Sequence, residues 1–489
     1  MDELSRPPEI SPLDWATTPP AVRALVHALR TQLQSEHLLL RQQVVTLQER
    51  VAVLEAQLNQ HSGNSSRPPS SDPPSAPPRP PNGPTGRKAG AQPSHPGQHR
   101  PLLPPDQVTE FVVHRPITCP HCQQAVPSDL PLTGVVLRQQ VWELPPLVPT
   151  VTEHQFPTVT CPHCQTPVRA LRPPEVPPGS FGPHLVALLA LLHGRYRVST
   201  RDLVQLLADL WQLPISLGSV PMLYQTVSHA LAPVYDAVQT TVQAQPVANV
   251  DETPWHECHR QRYLWVAVTV VATLFQVARR SRAALEALIG SPFGGIVGSD
   301  RYSAYAHLPV TQRQLCWAHL KREWQFFRER DGPVGVWGDA AMTQLDRLFT
   351  TWHRFRSGAL DRAALQQAMA PIQAEVRRLV EEGRDTVPWE KARGFCRDLL
   401  LTWPALWTFV REEGVEPTNN AAERALRPAV LWRKGCYGTA SVEGSRFVER
   451  ILTVTTTCQQ QQQPFLPFLA DAVQRSWAGL PAPTLLPTT

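Results

Sequence analysis

Val247-Ala248-Asn249-Val250-Asp251-Glu252-Thr253-Pro254-Trp255 is the stretch on which the fold turns. A short apolar run predicts a strand that delivers Asp251 and then breaks into a turn. Tyr263–Val270 and Thr273–Ala278 are rich in valine and threonine and predict two more strands. Ser281–Leu288 predicts a helix. Gly295-Ile296-Val297-Gly298-Ser299-Asp300 predicts another strand, again ending in an aspartate.

The order β-β-β-α-β, with acids on the first and fourth strands, is the ribonuclease-H-like arrangement. In it those two strands lie side by side, which brings Asp251 and Asp300 within reach of a shared metal. Two hard divalent ions, Mg²⁺ or Mn²⁺, held by such carboxylates suit phosphoryl transfer. Taken singly, each aspartate is equally a turn residue at a strand end. A third acid stands out in Asn419-Asn420-Ala421-Ala422-Glu423-Arg424-Ala425-Leu426-Arg427-Pro428. Glu423 falls near a predicted helix start, where the backbone dipole also favours an approaching phosphate. The alternative is a capping pair, with Asn420 as N-cap and Glu423 three residues on. Arg424, Arg427, Arg433 and Lys434 follow on or just beyond that helix as candidate phosphate contacts.

Upstream, Cys119-Pro-His-Cys122 is repeated as Cys161-Pro-His-Cys164. Two thiolate pairs can close a tetrahedral Cys₄ site for one structural Zn²⁺, with Val135–Leu144 and Thr150–Thr160 predicted as strands of a zinc ribbon. Four thiolates leave no open position for catalysis, and His121 and His163 are read as bystanders. A redox dithiol would need one pair rather than two matched ones. The remaining cysteines, Cys258, Cys316, Cys396, Cys436 and Cys458, are scattered singly, which is a poor disulfide framework and points to a reducing compartment.

Leu33, Leu40, Leu47 and Leu54 recur every seven residues, with Val44, Val51 and Leu58 four residues after the last three. This d/a seam predicts a coiled coil that favours parallel dimers, although His37 and Arg30 occupy a positions. Packing on its own chain is the alternative. Residues 62–105 hold 14 of the 52 prolines and predict an extended tether whose Arg67, Arg79, Arg87, Lys88 and Arg100 could touch phosphates. Residues 180–245 predict helices at Leu185–Leu192, Thr200–Leu210 and Ser219–Leu231, compatible with a helix-turn-helix reader, although the last carries no Lys or Arg. A net charge of +5 permits a nucleic-acid partner without demanding one. No basic start followed by an apolar run marks a secretory signal, and Leu264–Ala278 falls short of a membrane span.

In order, these motifs resemble the transposases of insertion sequence 66 type. The resemblance runs over nearly the whole chain. It takes in the heptad helix, Asn64-Ser-Ser-Arg-Pro-Pro-Ser-Ser-Asp72, Arg87-Lys88-x-Gly90-x-Gln92-Pro93-x-His95-x-Gly97 and the paired cysteines. It continues through Asp251-Glu-Thr-Pro-Trp255, Asp300-Arg-Tyr302-x-x-Tyr305, Cys316-Trp-Ala-His319-Leu-Lys-Arg322 and Asn419-Asn-x-x-Glu423-Arg-x-x-Arg427-Pro. The C-terminal Pro464-Phe-Leu-Pro-Phe468-Leu469 matches the family only loosely. The resemblance implies a DDE transposase with Asp251, Asp300 and Glu423 as the metal-binding triad. Cys316 and His319 resemble a Cys-x-x-His signature, read as a packing or DNA-positioning element.

The expected fold is multidomain α+β. It comprises a coiled-coil helix (21–60), a Pro-rich basic linker (62–105), a zinc ribbon (106–172) and a helix-turn-helix-like module (180–245). A ribonuclease-H-like catalytic domain (246–440) with a helical insertion at about 330–416 follows, then a helical tail (441–489). The expected function is Mg²⁺-dependent cleavage and strand transfer on double-stranded DNA, by a cytoplasmic, nucleoid-associated homodimer or larger synapse, with small companion proteins of the element as possible partners. A ribonuclease-H-like nuclease that never joins, and a catalytically inactive zinc-ribbon and coiled-coil DNA-binding protein, are the rival readings.

Overall fold

The computed structural model describes residues 11–58, 101–131, 137–144 and 148–486. The linker expectation over 62–100, with its basic residues, lies outside them. The chain divides into two compact units, one of Asn82–Leu315 with Glu413–Thr489, the other of Met1–Pro81 with Cys316–Glu412. Among the described residues no helix is long and apolar enough to cross a membrane.

In the second unit, a short helix α1 (Pro12–Thr17) precedes α2 (Pro20–Leu58), a single helix of 39 residues. The heptad residues Leu33, Leu40, Leu47, Leu54, Val44 and Val51 are all exposed along it. The first unit opens with a two-stranded antiparallel hairpin, β1 (Thr158–Thr160) with β2 (Pro167–Arg169). The strand expected at Val135–Leu144 does not form over residues 137–144, and 135–136 lie outside the described residues. Of Thr150–Thr160 only the last three residues are strand. Within that segment Gln140 is held by its side chain, which, in place of a neighbouring strand, pairs with the Leu103 backbone, accepting from the amide at 2.7 Å and donating to the carbonyl at 3.0 Å.

Four helices follow: α3 (Pro183–Gly194), α4 (Thr200–Trp211), α5 (Ser219–Ala230) and α6 (Ala232–Gln243). Next come β3 (Val247–Glu257), β4 (Arg260–Val268), β5 (Thr273–Ala278), α7 (Arg282–Ile289), β6 (Ile296–Ser299) and β7 (Arg313–Leu315). The sheet order is β5-β4-β3-β6-β7, so its first and fourth strands are neighbours, as the sequence predicts. The β3–β4 and β4–β5 pairs are antiparallel, and β3–β6 and β6–β7 are parallel.

One expectation needs correction here. β3 does not turn at Thr253-Pro254 but runs on to Glu257. β6 pairs with β3 only from Val247 to Asn249, so beyond that point one side of β3 is free of ladder bonds. Proline lacks an amide hydrogen and is tolerated on such an edge.

β6 leads into the second unit's helical stretch, α8 (Trp317–Arg328), α9 (Pro333–Arg356), α10 (Arg362–Asp385), α11 (Glu390–Leu401), α12 (Trp403–Leu406) and α13 (Thr408–Arg411), entered after β7. The unit is built on aromatic rings: Trp324 lies 4.6 Å from Trp337, and Trp317 lies 4.9 Å from Trp407. Two indole amines are satisfied by carbonyls, Trp317 on Leu406 and Trp337 on Leu379.

Back in the first unit, α14 (Asn420–Cys436), α15 (Val442–Gln460) and α16 (Phe465–Trp477) complete the chain. Helices α3–α6 and α14–α16 share one hydrophobic core with the sheet. The C-terminal segment expected as a tail therefore covers the sheet's outer edge. Side chains one helical turn apart on α15 accept from alternate amides of β5: Glu449 from Val277 at 2.7 Å, Thr453 from Phe275 at 2.9 Å and Thr457 from Thr273 at 3.1 Å. An open edge strand invites pairing with another chain, and these bonds close it.

Candidate active site and zinc knuckles

The parallel register on β3 and β6 is Val247↔Ile296, Ala248↔Val297 and Asn249↔Gly298. Asp251 and Asp300 each lie two residues beyond the last pair of that register, so the two aspartates leave neighbouring strands at matching positions. Gly298 leaves room for the Asn249 side chain, since a Cβ there would stand 2.6 Å from the Asn249 Oδ1. Asp251 Oδ1 accepts from the Glu252 amide at 2.9 Å, and Asp300 Oδ1 accepts from the Tyr302 amide at 2.9 Å.

Glu423 lies in the first turn of α14. The capping-pair alternative does not hold in the form stated, because Asn419, not Asn420, is the N-cap, and its side chain makes no cap bond. Asn419 instead reaches across to the strand: its Nδ2 donates to the Val250 carbonyl at 2.8 Å, one residue before Asp251. That bond ties the start of the Glu423 helix to the strand that carries the first aspartate. Burial pushes the Asp251 carboxyl well above the usual carboxylate range, and the negative charges of Glu252, Asp300 and Glu423 add to the rise, against the Glu252 amide. Asp251 therefore feels the charge of both other acids expected from the sequence, although among the described residues the ligand atoms of the three do not all lie within 4.8 Å of one another. A carboxyl raised in this way by neighbouring acids is a group whose charge a hard divalent cation would relieve.

Asn419 is a positioning residue that local sequence reasoning missed. Asn419→Ala is expected to leave the buried Val250 carbonyl short of a donor, at ~1–3 kcal/mol. For a unit of this size that lowers the thermal midpoint by several degrees, at ~2–4 °C per kcal/mol. Calorimetry checks this, and an unchanged midpoint would show the bond to be dispensable.

Arg424, Arg427 and Lys434 are exposed on α14, at spacings of three and seven residues that place them on one stripe. Arg433 is partly buried, and its Nη1 donates to the Pro254 carbonyl at 2.7 Å, so it anchors the helix to β3. Cys316 occupies the N-cap position of α8, without a side-chain cap bond, and His319 lies in that helix's first turn.

The two Cys-Pro-His-Cys segments fold alike. In the first, the Cys119 amide donates to Gln124 at 3.0 Å and the Gln123 amide to Cys119 at 2.9 Å. In the second, Cys161 donates to Thr166 and Gln165 to Cys161, both at 2.9 Å. Gln123 and Gln165 both adopt left-handed backbone, at φ of 61° and 57°. Amides of Cys122 and His121 and the Cys122 thiol lower the Cys119 pKa, and the Thr166 hydroxyl and amide, with the Cys161 thiol, lower that of Cys164. Amide donors around a thiol favour the thiolate, the form a metal binds. Each pair is therefore preformed as a knuckle. Among the described residues, no three of the four thiols lie within 4.8 Å of one another.

Residues 178–446, more than half of the chain and the whole of the acid cluster, match the family described as transposase IS66 family. The chain belongs to that family. Residues 116–165 match the zinc-finger binding domain of transposase IS66 and contain all four knuckle cysteines, which supports a structural zinc in that domain. Residues 17–101 match a family of unknown function. Similar curated proteins include two of Sinorhizobium fredii (strain NBRC 101917 / NGR234). Uncharacterized protein y4qI is 29% identical over 226 residues, 44% of this chain and 41% of that protein. Uncharacterized protein y4hP is 25% identical over 337 residues, 61% and 60% of the two. The chain thus spans about two fifths to three fifths of the length of these relatives.

Proposed function

We propose that this chain is a DNA transposase that binds the ends of its insertion sequence, cleaves them and joins them to target DNA, with Asp251, Asp300 and Glu423 as its acid triad. The observation that carries the reading is the parallel β3–β6 register beside the Asn419–Val250 bond, which together bear the three acids. The strand order supports a ribonuclease-H-like reading of the sheet, with the helices between Cys316 and Glu412 as its insertion.

The three carboxylates would hold two Mg²⁺ or Mn²⁺ ions, which when bound supply activation of the attacking oxygen and stabilisation of the leaving oxygen. The protein's own part is to bind and orient. Arg424, Arg427 and Lys434 present one basic stripe to the DNA backbone, continued by whatever charge Arg433 leaves exposed. Asp251, Asp300 and Glu423 act as ligands and not as nucleophiles, so no covalent protein–DNA intermediate forms. A freed 3′-hydroxyl attacks the target at the same site. Cys119, Cys122, Cys161 and Cys164 would hold one structural Zn²⁺, for which the matched knuckles speak. Helices α4 and α5, joined by residues 212–218, form the helix-turn-helix-like pair of this reading; α5 buries Val220, Tyr224 and Val227 and offers no Lys or Arg to bases. A DNA substrate of this kind places the protein at the nucleoid.

The exposed seam of α2 supports a parallel dimer, which also pairs two DNA ends. Leu40→Glu with Leu47→Glu is expected to convert a dimer into a monomer in sedimentation equilibrium. A wild-type monomer, or an unchanged dimer in the variant, would remove the coiled coil from the proposal.

The test of the function is incubation of the purified chain with Mg²⁺, labelled DNA carrying the element's ends, and target plasmid. Joined products are expected. Cleavage without joining would indicate a nuclease, and binding without cleavage a non-catalytic DNA-binding protein.

A further inference from the structure

Glu252 stands next to Asp251, and the mechanism above does not use it. Alternation along β3 puts the two on opposite faces of the sheet. Asp251 shares its face with Trp255, whose ring lies 6.3 Å from Trp432 of α14. Glu252 points to the other face, with 2% of its side chain exposed. Both of its oxygens are engaged there. Arg280 Nη2 and Nε lie 2.7 and 2.8 Å from Oε1, and the Tyr305 hydroxyl donates to Oε2 at 2.6 Å.

Arg280 is itself held. Its guanidinium lies 3.5 Å from the centre of the Tyr302 ring, and the Tyr302 hydroxyl donates to the Arg280 carbonyl at 3.2 Å. The Tyr302 amide in turn donates to Asp300. Contacts therefore run unbroken from the strand of Asp251, through Glu252 and either Tyr305 or the Arg280–Tyr302 stack, to the turn of Asp300. Burial, then the Glu252 charge, hold the Tyr305 hydroxyl protonated, which keeps it a donor. Burying the Glu252 carboxylate beside two further acids is costly unless its oxygens are met, as both are here.

We propose that Glu252, Arg280 and Tyr305 are positioning residues, a clamp that fixes the Asp300 turn to β3 and so sets the separation at which Asp251 and Asp300 share a divalent cation. The proposal rests on the metal-site reading of those two aspartates. Glu252 is not itself a ligand in it, because its oxygens are committed on the opposite face.

The test is Mn²⁺ binding to the full chain, followed by the paramagnetic resonance of free Mn²⁺, with thermal midpoints recorded alongside. Tyr305→Phe removes only the hydroxyl, Glu252→Gln keeps the shape, and Asp251→Asn removes a ligand. Tyr305→Phe and Glu252→Gln are expected to weaken Mn²⁺ binding ~10–100-fold, as loss of a bond that orients a ligand does. End cleavage by both should fall at limiting Mn²⁺ and recover largely at saturation. Wild-type Mn²⁺ affinity in both, whether or not the midpoint falls, would overturn the clamp and leave a contact of stability alone. Complete loss of the site in Glu252→Gln with wild-type binding in Tyr305→Phe would make Glu252 a ligand and also overturn it. If Asp251→Asn binds Mn²⁺ like wild type, the metal-site reading itself fails and the clamp falls with it.

Discussion

Glu423→Gln is expected to reduce both end cleavage and joining by ~10³-fold or more while leaving DNA-end binding intact. The substitution keeps the shape and removes one charge. A carboxylate that holds a catalytic cation contributes several kcal/mol to charge stabilisation in the transition state, and ~4 kcal/mol corresponds to about 10³ in rate. The fold should tolerate the change. The N-cap of α14 is Asn419, held by its bond to Val250 and not by a capping box that includes Glu423. Loss of one acid from a helix's first turn itself costs ~0.3–1 kcal/mol. Single-turnover rates on pre-cut and uncut ends, a gel-shift titration of the ends and a melting curve measure all four. A variant that cleaves and joins at the wild-type rate removes Glu423 from the triad.

Cys161→Ser is expected to take the zinc content from one per chain to near none and to unfold the knuckle module while the rest of the chain stays folded. The module has little core of its own: every residue of β1 and β2 is exposed, with Val159 at 62% and Val168 at 52%. Apolar burial cannot hold such a segment, whereas a structural Zn²⁺ contributes ~10–16 kcal/mol to folding a small finger. The sheet and the helices around it have their own continuous core and should keep their melting transition. Metal analysis and limited proteolysis check this, with cleavage expected within 106–172 and weaker binding to DNA ends. A variant that keeps both its zinc and its protease resistance would show that Cys161 is not a ligand.

Much of the acid cluster's scaffold is legible in the sequence. The valine-rich runs of β4 and β5, the Ser281 cap before α7 and the Ile296–Val297 strand are local patterns, and the structure places each within a few residues of its expected position. Side-by-side placement of Asp251 and Asp300 follows from strand order once those elements are right. The third acid is not local. From its residues alone Glu423 is equally a third acid or a capping residue, because the bond that places its helix joins Asn419 to a carbonyl 169 positions away. Arg280 gave no signal at all, since its partners Glu252 and Tyr302 lie on other elements. Pro254 misled: a proline reads as a break, yet β6 ends its pairing with β3 at Asn249, and past that point a proline does no harm. In Val135–Leu144 the apolar residues read as strand, but Leu137, Val141 and Leu144 are exposed. Composition there carries no information about whether a partner strand exists.

Direct displacement at phosphorus, with carboxylates as ligands and no covalent enzyme intermediate, is the core of the proposed chemistry. The stereochemistry of joining tests it most directly. Strand transfer into a target bearing a phosphorothioate of one configuration should give a product of inverted configuration, the signature of a single in-line displacement. Retention would require two displacements and therefore a covalent protein–DNA intermediate, which would contradict the roles assigned to Asp251, Asp300 and Glu423.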